Sequence, residues 1–370
     1  LPSFGKKVSR DSYLLVDDID TATKIAFIED GRLAEFWQKE QGHELGEVHL
    51  ARIVHTHAAQ RRTTGQLQDG TKISWQNPPS ARSEIGQLAE VTLTAFGWQD
   101  KPMQASLGAQ LAGQYSLLVL GTGAKDSPIR TSRKQAENKE AAALLKALQG
   151  TELVKILTAA KSSLILRRRI LTEPDTSLPE KQDRLIKEAQ SLLDIWQQHA
   201  KPVLDIRSEA SPRQIFSGLP LLDQARRYAG IEETRLATGD DFDDLKEAVH
   251  GAASLPYQMA NGARLWIEPT HAGVMVDMDS GASALPPEEL ANHSLPEIFY
   301  LLRLCSLAGR VLIDIPHLKK QPRQQIEALI HALCQADPRQ PEFFGFTPGG
   351  LAELRYRYAR PSLDKTFGDL

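Results

Sequence analysis

Between Val274 and Asp279 the sequence runs Val-Met-Val-Asp-Met-Asp. In an extended strand the two-residue period puts Met275, Asp277 and Asp279 on one side and Val274 and Val276 on the other. A third acid, Asp314, closes the apolar run Val311-Leu312-Ile313. The helix predicted between the two runs is long enough to return the chain to a neighbouring strand, and adjacent strands would bring Asp277, Asp279 and Asp314 together. Clustered carboxylates that cannot shed their charge favour a hard divalent cation such as Mg2+, held with water and substrate phosphate oxygens. Spacing alone also allows the plainer alternative, three solvated acids at strand ends, because aspartates commonly mark turns.

The elements that must position these acids are legible around them. Residues 264–268, 274–278 and 311–315 read as strands, and 296–308 and 323–336 as helices, followed by 351–358 after Pro348-Gly349-Gly350. Upstream, residues 12–37 open as a hairpin. Residues 46–112 carry about five short strands between Gly, Asp, Asn and Pro clusters, the pattern of a small barrel. Residues 115–120 form a buried strand, 134–149 a helix and 153–159 another strand; 179–199 is a long amphipathic helix, and 221–228 and 241–252 are helical. The fold class is α/β and multidomain.

Composition sets the outer limits. The chain has 370 residues, 41% hydrophobic and 25% charged, with 44 basic against 47 acidic side chains, the profile of a globular protein too long for one ordinary core. A net charge of −3 gives no global electrostatic case for nucleic acid, so any basic face must be local. Cys305 and Cys334 are too few for a disulfide framework and form no CxxC pair, which points to a reducing compartment. No apolar run reaches the roughly 18 residues of a membrane span, and Leu1–Lys7 has no apolar signal core; the expected address is cytoplasmic.

The segment 261–281, NGARLWIEPTHAGVMVDMDSG, resembles the catalytic hairpin of the ribonuclease E/G family, whose pattern is close to GG-x-LVIEPTEALTVIDVNSG. The likeness continues in register through LLRLCSLAGRVLID at 301–314 and ends at Gly350-Leu351-Ala352-Glu353-Leu354 with Arg360-Pro361-Ser362-Leu363. Three ordered matches over about 100 residues are more specific than any lone motif. The resemblance implies a Mg2+-dependent endoribonuclease acting on single-stranded RNA in processing or decay, with Mn2+ able to substitute. Asp277 and Asp314 take the metal-binding positions, and Asp279 stands where the family has Asn. An RNA-binding protein of the same fold with weak or absent cleavage is the alternative.

The implied architecture is a ribonuclease H-like fold at 1–45, an OB-fold, S1-like RNA-binding insert at 46–112, a 5′-sensor-like α/β region at 113–195, a shortened second ribonuclease H-like part at 196–258, and a DNase I-like catalytic domain at 259–370. Within the insert, Lys101 falls near a family basic residue and Trp75 is the one candidate for base stacking, with a core role as its alternative. Ile156-Leu157-Thr158-Ala159-Ala160 resembles the sensor VRTAG; Leu157 replaces the phosphate-binding Arg and Thr158 survives, implying that 5′-monophosphate sensing is lost. Arg133 and Lys134 resemble the basic pair that follows the sensor entrance. Lys319, Lys320 and Arg323 follow Asp314 closely enough to flank a substrate. His271 and His317 lack further zinc ligands at compatible spacing, so no zinc is expected. The sequence to Leu370 holds no CPxC motif, so a zinc-linked oligomer is not expected, while a homodimer through other contacts remains open.

Overall fold

The computed structural model describes residues 12–39, 42–78, 83–97, 101–121, 128–131, 138–172, 176–200, 211–239, 241–253, 255–357 and 360. The chain forms two compact units, one from residues 1–39 and 220–370, the other from 40–219. Three antiparallel strands open the first unit, β1 (Tyr13–Val16), β2 (Lys24–Glu29) and β3 (Arg32–Gln38). The predicted hairpin thus gains a third strand across the turn at Asp30-Gly31.

The second unit begins with β4 (Val48–His57), β5 (Arg62–Gln66), β6 (Lys72–Gln76), β7 (Leu88–Ala95) and β8 (Met103–Leu107). Hydrogen bonding in the order β4-β5-β6-β8-β7, with β7 returning to β4, closes a five-stranded barrel, consistent with an OB-like region. Its core holds Ala51, Ile53, Ile73, Trp75, Val91 and Leu93. Gly65 must lack a side chain, since a Cβ there would lie 2.5 Å from the Trp75 ring.

A four-stranded sheet follows, built from β9 (Gln110–Ala112), β10 (Ser116–Val119), β11 (Ile129–Thr131) and β12 (Ser163–Leu166) and covered by α1 (Lys139–Leu148), α2 (Glu152–Ala159), α3 (Arg168–Thr172) and α4 (Leu178–His199). A capping box between Ser177 and Glu180 starts α4, and β13 (Arg213–Phe216) adds to β4. The strand expected over 153–159 is instead α2. Its fully buried residues, Leu153 and Leu157, stand four apart, and a short apolar run does not by itself distinguish a helix from a strand.

The first unit resumes with α5 (Leu221–Ala229), β14 (Thr234–Leu236), which pairs in parallel with β1, and α6 (Asp241–Ala253). Then come β15 (Tyr257–Gln258), β16 (Arg264–Pro269), β17 (Val274–Asp279), α7 (Pro287–Leu304), β18 (Gly309–Asp314), α8 (Lys320–Ala336), β19 (Glu342–Phe346) and β20 (Ala352–Tyr356). These strands make a six-stranded sheet in the order β15-β16-β17-β18-β20-β19. One face packs Val274, Val276, Val311, Ile313 and Leu354 against α7 and α8; the other is open to solvent.

Helix α7 starts nine residues earlier than the sequence suggests, with Pro296 inside it. Proline favours a helix start, but the buried series Leu290, Ala291, Leu295, Ile298, Phe299 and Leu302 runs straight through that position. The same helix ties the two sheets of the unit together. Arg303 donates to Glu29 Oε2 at 2.8 Å, the Tyr300 hydroxyl donates to the Leu33 carbonyl at 2.9 Å, and Arg32 donates to Glu297.

Candidate metal centre

Helix α7 is the crossover that makes β17 and β18 parallel neighbours, and the resulting register pairs Asp277 with Asp314. Register partners on adjacent strands project to the same face of a sheet about 4.8 Å apart. Alternation sends Val276, Met278 and Ile313 into the core and leaves both carboxylates exposed. Gly273 allows this close pairing: a Cβ there would lie 2.3 Å from the Arg310 carbonyl oxygen, so a side chain at the head of β17 would push it off β18.

Asp279 stands apart from the pair. It lies two residues further along β17, roughly 7 Å away at strand rise, and its Oδ1 accepts the Gly281 N–H at 3.0 Å in a local turn. The three acids therefore do not converge as the sequence suggested; one pair forms and the third caps the following turn. The set of three metal-ligand side chains with donor atoms within 4.8 Å of one another lies elsewhere among the described residues, at His43, Glu47 and His49.

Burial, then repulsion from Asp314 and Asp279, raises the Asp277 carboxyl above its ordinary range, against one backbone hydrogen bond that lowers it. Among the described residues no Lys, Arg or His forms an ion pair with Asp277 or Asp314. Two adjacent hard-oxygen donors with uncompensated charge suit Mg2+, which binds through one or two carboxylates and keeps several waters. An open depression of about 550 Å3 begins at Asp277 and Asp279 and is walled by Ser280, Ser283, Leu285 and Pro316.

Strand β16 supplies the other side of the site. Its register sets Trp266 beside Asp277, Arg264 beside Asp279 and Glu268 beside Met275. Trp266 and Met275 are each 36% exposed on this open face. Across the sheet at one level the order is thus an aromatic ring, then Asp277, then Asp314. The same alternation that sets Asp277 on this face sets Trp266 and Arg264 there, a signal present in the sequence at 264–268.

The remaining expected site residues divide by position. Lys319, Lys320 and Arg323 are exposed at the start of α8, just after Asp314, and the Arg323 guanidinium stacks 4.4 Å from the Phe346 ring centre. His271 and His317 are exposed. Lys101 is exposed in the second unit. Trp75 is 1% exposed, so the barrel core takes the ring and leaves no face for a base; its expected RNA contact is withdrawn. Leu157 is fully buried, and the exposed Thr158 donates its hydroxyl back to the Val154 carbonyl at 2.7 Å. Arg133 and Lys134 lie outside the described residues, as does 361–363.

An acidic pair on an open sheet face beside a basic helix start has the donor chemistry that a hard cation prefers and a local positive charge nearby. Residues 240–357 match the Ribonuclease E/G family, and the chain carries a domain of that family. The matched stretch contains β15 to β20, α7 and α8, and with them Asp277 and Asp314. The family points to an endoribonuclease, a hydrolase whose partner is RNA. No curated protein matches the chain. Among the described residues no helix is long and apolar enough to cross a membrane.

Proposed function

We propose that the protein is a Mg2+-dependent endoribonuclease that cleaves single-stranded RNA, with Asp277 and Asp314 holding the cation. The observation that carries this reading is the register pairing of those two acids on adjacent parallel strands, inside the stretch that matches the family. When bound, the ion would supply charge neutralisation at the scissile phosphate and a more acidic water. The protein's own groups position the RNA: Lys319, Lys320 and Arg323 attract the backbone, and Trp266, beside Asp277, offers a face on which a base stacks. Proteins that grip single strands commonly combine these two kinds of contact.

Sensing of a 5′-monophosphate forms no part of the proposal. Leucine cannot make the paired, charge-assisted contacts that arginine makes with phosphate, and Leu157 is committed to the core.

A second reading, an RNA-binding protein with little or no cleavage, draws on Asp279. Its carboxylate accepts the Gly281 N–H and has no donor to offer where an amide would have one. Incubation of single-stranded RNA with the protein in Mg2+, repeated with Asp277→Asn and with Asp279→Asn, separates the two. Cleavage abolished by the first substitution supports the nuclease. Binding without cleavage that Asp279→Asn restores supports the second reading.

A further inference from the structure

The second unit holds a cluster that the ribonuclease reading does not use. His43, in the loop before β4, Glu47, at the end of that loop, and His49, on β4, bring their donor atoms within 4.8 Å of one another. Glu47 Oε2 lies 2.8 Å from His43 Nδ1 and 2.8 Å from His49 Nε2. The two imidazole rings meet edge to face, 5.0 Å between centres at 87°, so their nitrogens converge on one carboxylate oxygen. The other nitrogen of His43 lies 3.1 Å from Asp69 Oδ2, in the turn between β5 and β6.

We infer that His43 Nδ1, His49 Nε2 and Glu47 form a Zn2+ site, with Asp69 orienting His43 from behind. The donor chemistry selects the ion: two imidazoles and one carboxylate suit Zn2+, whereas Mg2+ prefers all-oxygen surroundings. Ligand atoms around tetrahedral Zn2+ stand about 3.4 Å apart at bond lengths near 2.1 Å. The two 2.8 Å separations from Glu47 would open by about 0.6 Å to reach that spacing, and the two imidazole nitrogens already lie within 4.8 Å of each other. A carboxylate behind a ligating histidine is the usual second partner of such a ring, fixing its tautomer and raising its basicity.

Burial and access also fit. Glu47 and His49 are 6% and 2% exposed, while the His43 side chain, 18% exposed, leaves the ion a route in and water a fourth position. His49 Nδ1 is buried without a hydrogen-bond partner, so this ring gains little from its surroundings beyond the contact with Glu47. A bound ion would clip the loop that enters the barrel onto β4. The expectation of no zinc was drawn from His271, His317 and the CPxC motif, and His43, Glu47 and His49 did not enter it.

The test uses the full chain, stripped with a chelator and titrated with ZnCl2 in a calorimeter, with cobalt absorption as a second readout of nitrogen ligation. One ion per chain is expected, and Asp277→Asn should leave that binding unchanged. His43→Gln should abolish tight binding. Asp69→Asn, at a side chain 54% exposed and so no threat to folding, should weaken it about 10- to 100-fold. The site is refuted if no saturable Zn2+ binding occurs, or if both His43→Gln and Asp69→Asn bind as the parent does while circular dichroism shows them folded. Loss of binding in Asp277→Asn would equally refute it, by moving the ion to the other unit.

Discussion

Replacing Asp277 with Asn should have opposite consequences for stability with and without metal. In the fold this carboxylate is paired in register with Asp314 and has no ion-pair partner among the described residues, and burial and the charges of Asp314 and, further along the strand, Asp279 raise its pKa. A carboxyl whose folded pKa lies above its unfolded value contributes stability that is fully present below the ordinary carboxylate range and lost as pH rises through the raised value. At neutral pH the ionised Asp277 is therefore a cost to the fold. With a water-like dielectric, two charges about 5 Å apart repel by roughly 0.8 kcal/mol. In EDTA at neutral pH, Asp277→Asn should thus melt at or slightly above the parent's temperature, and its advantage should fade as the pH is lowered.

Mg2+ should reverse that order. An ion that binds only the folded chain at ten times its Kd adds about 1.4 kcal/mol, a rise of about 3 to 6 °C for a unit of this size. The parent should show that rise and Asp277→Asn should not, so that the two melting curves cross between EDTA and saturating Mg2+. The assay is scanning calorimetry of both proteins under the two conditions. Equal Mg2+ shifts in parent and variant would show that the ion binds elsewhere. A loss of stability of Asp277→Asn in EDTA would show that the carboxylate makes a structural contact, and the electrostatic argument would fail.

Trp266→Ala should weaken single-stranded RNA binding by about 5- to 150-fold, the worth of one stacked base, read by fluorescence anisotropy; Trp75→Phe should leave the affinity of the folded protein unchanged. Replacing Lys319 and Lys320 together with Ala should lower the slope of log affinity against log salt by about 1.4, two phosphate contacts on a single strand, in a salt titration of binding. Gly273→Ala should cost about 1–3 kcal/mol by overpacking against the Arg310 carbonyl and slow cleavage more than it weakens RNA binding, because it disturbs the Asp277–Asp314 register. RNAs carrying 5′-monophosphate and 5′-triphosphate should be cut at equal rates in a gel assay, given the burial of Leu157.

The acids at 277 and 314 were legible in the sequence because two signals agreed, a strict two-residue alternation and motifs in fixed order around it. Alternation is local, set by the backbone of one strand, so it gave the exposed side of β17 and would have given that of β16. It failed where a run was short and uniformly apolar, as at 153–159, since only the depth of Leu153 and Leu157 in the core separates helix from strand there. It failed again at α7, where a proline favoured as a helix start sits mid-helix because the apolar stripe continues past it.

What the chain's order of residues determined by itself was therefore which side chains of the β16–β17 hairpin meet solvent and which family the stretch 240–357 matches. Tertiary structure alone decided which of those side chains are neighbours. Strand register made Asp277 and Asp314 a pair and set Trp266 on the other side of Asp277. Barrel closure put Trp75 inside, and the loop that enters β4 brought His43 and Glu47 to His49, and His43 also to Asp69 in the β5–β6 turn. The reason is physical: the direction of a side chain is fixed within a residue or two of backbone, but its neighbours depend on how distant segments pack.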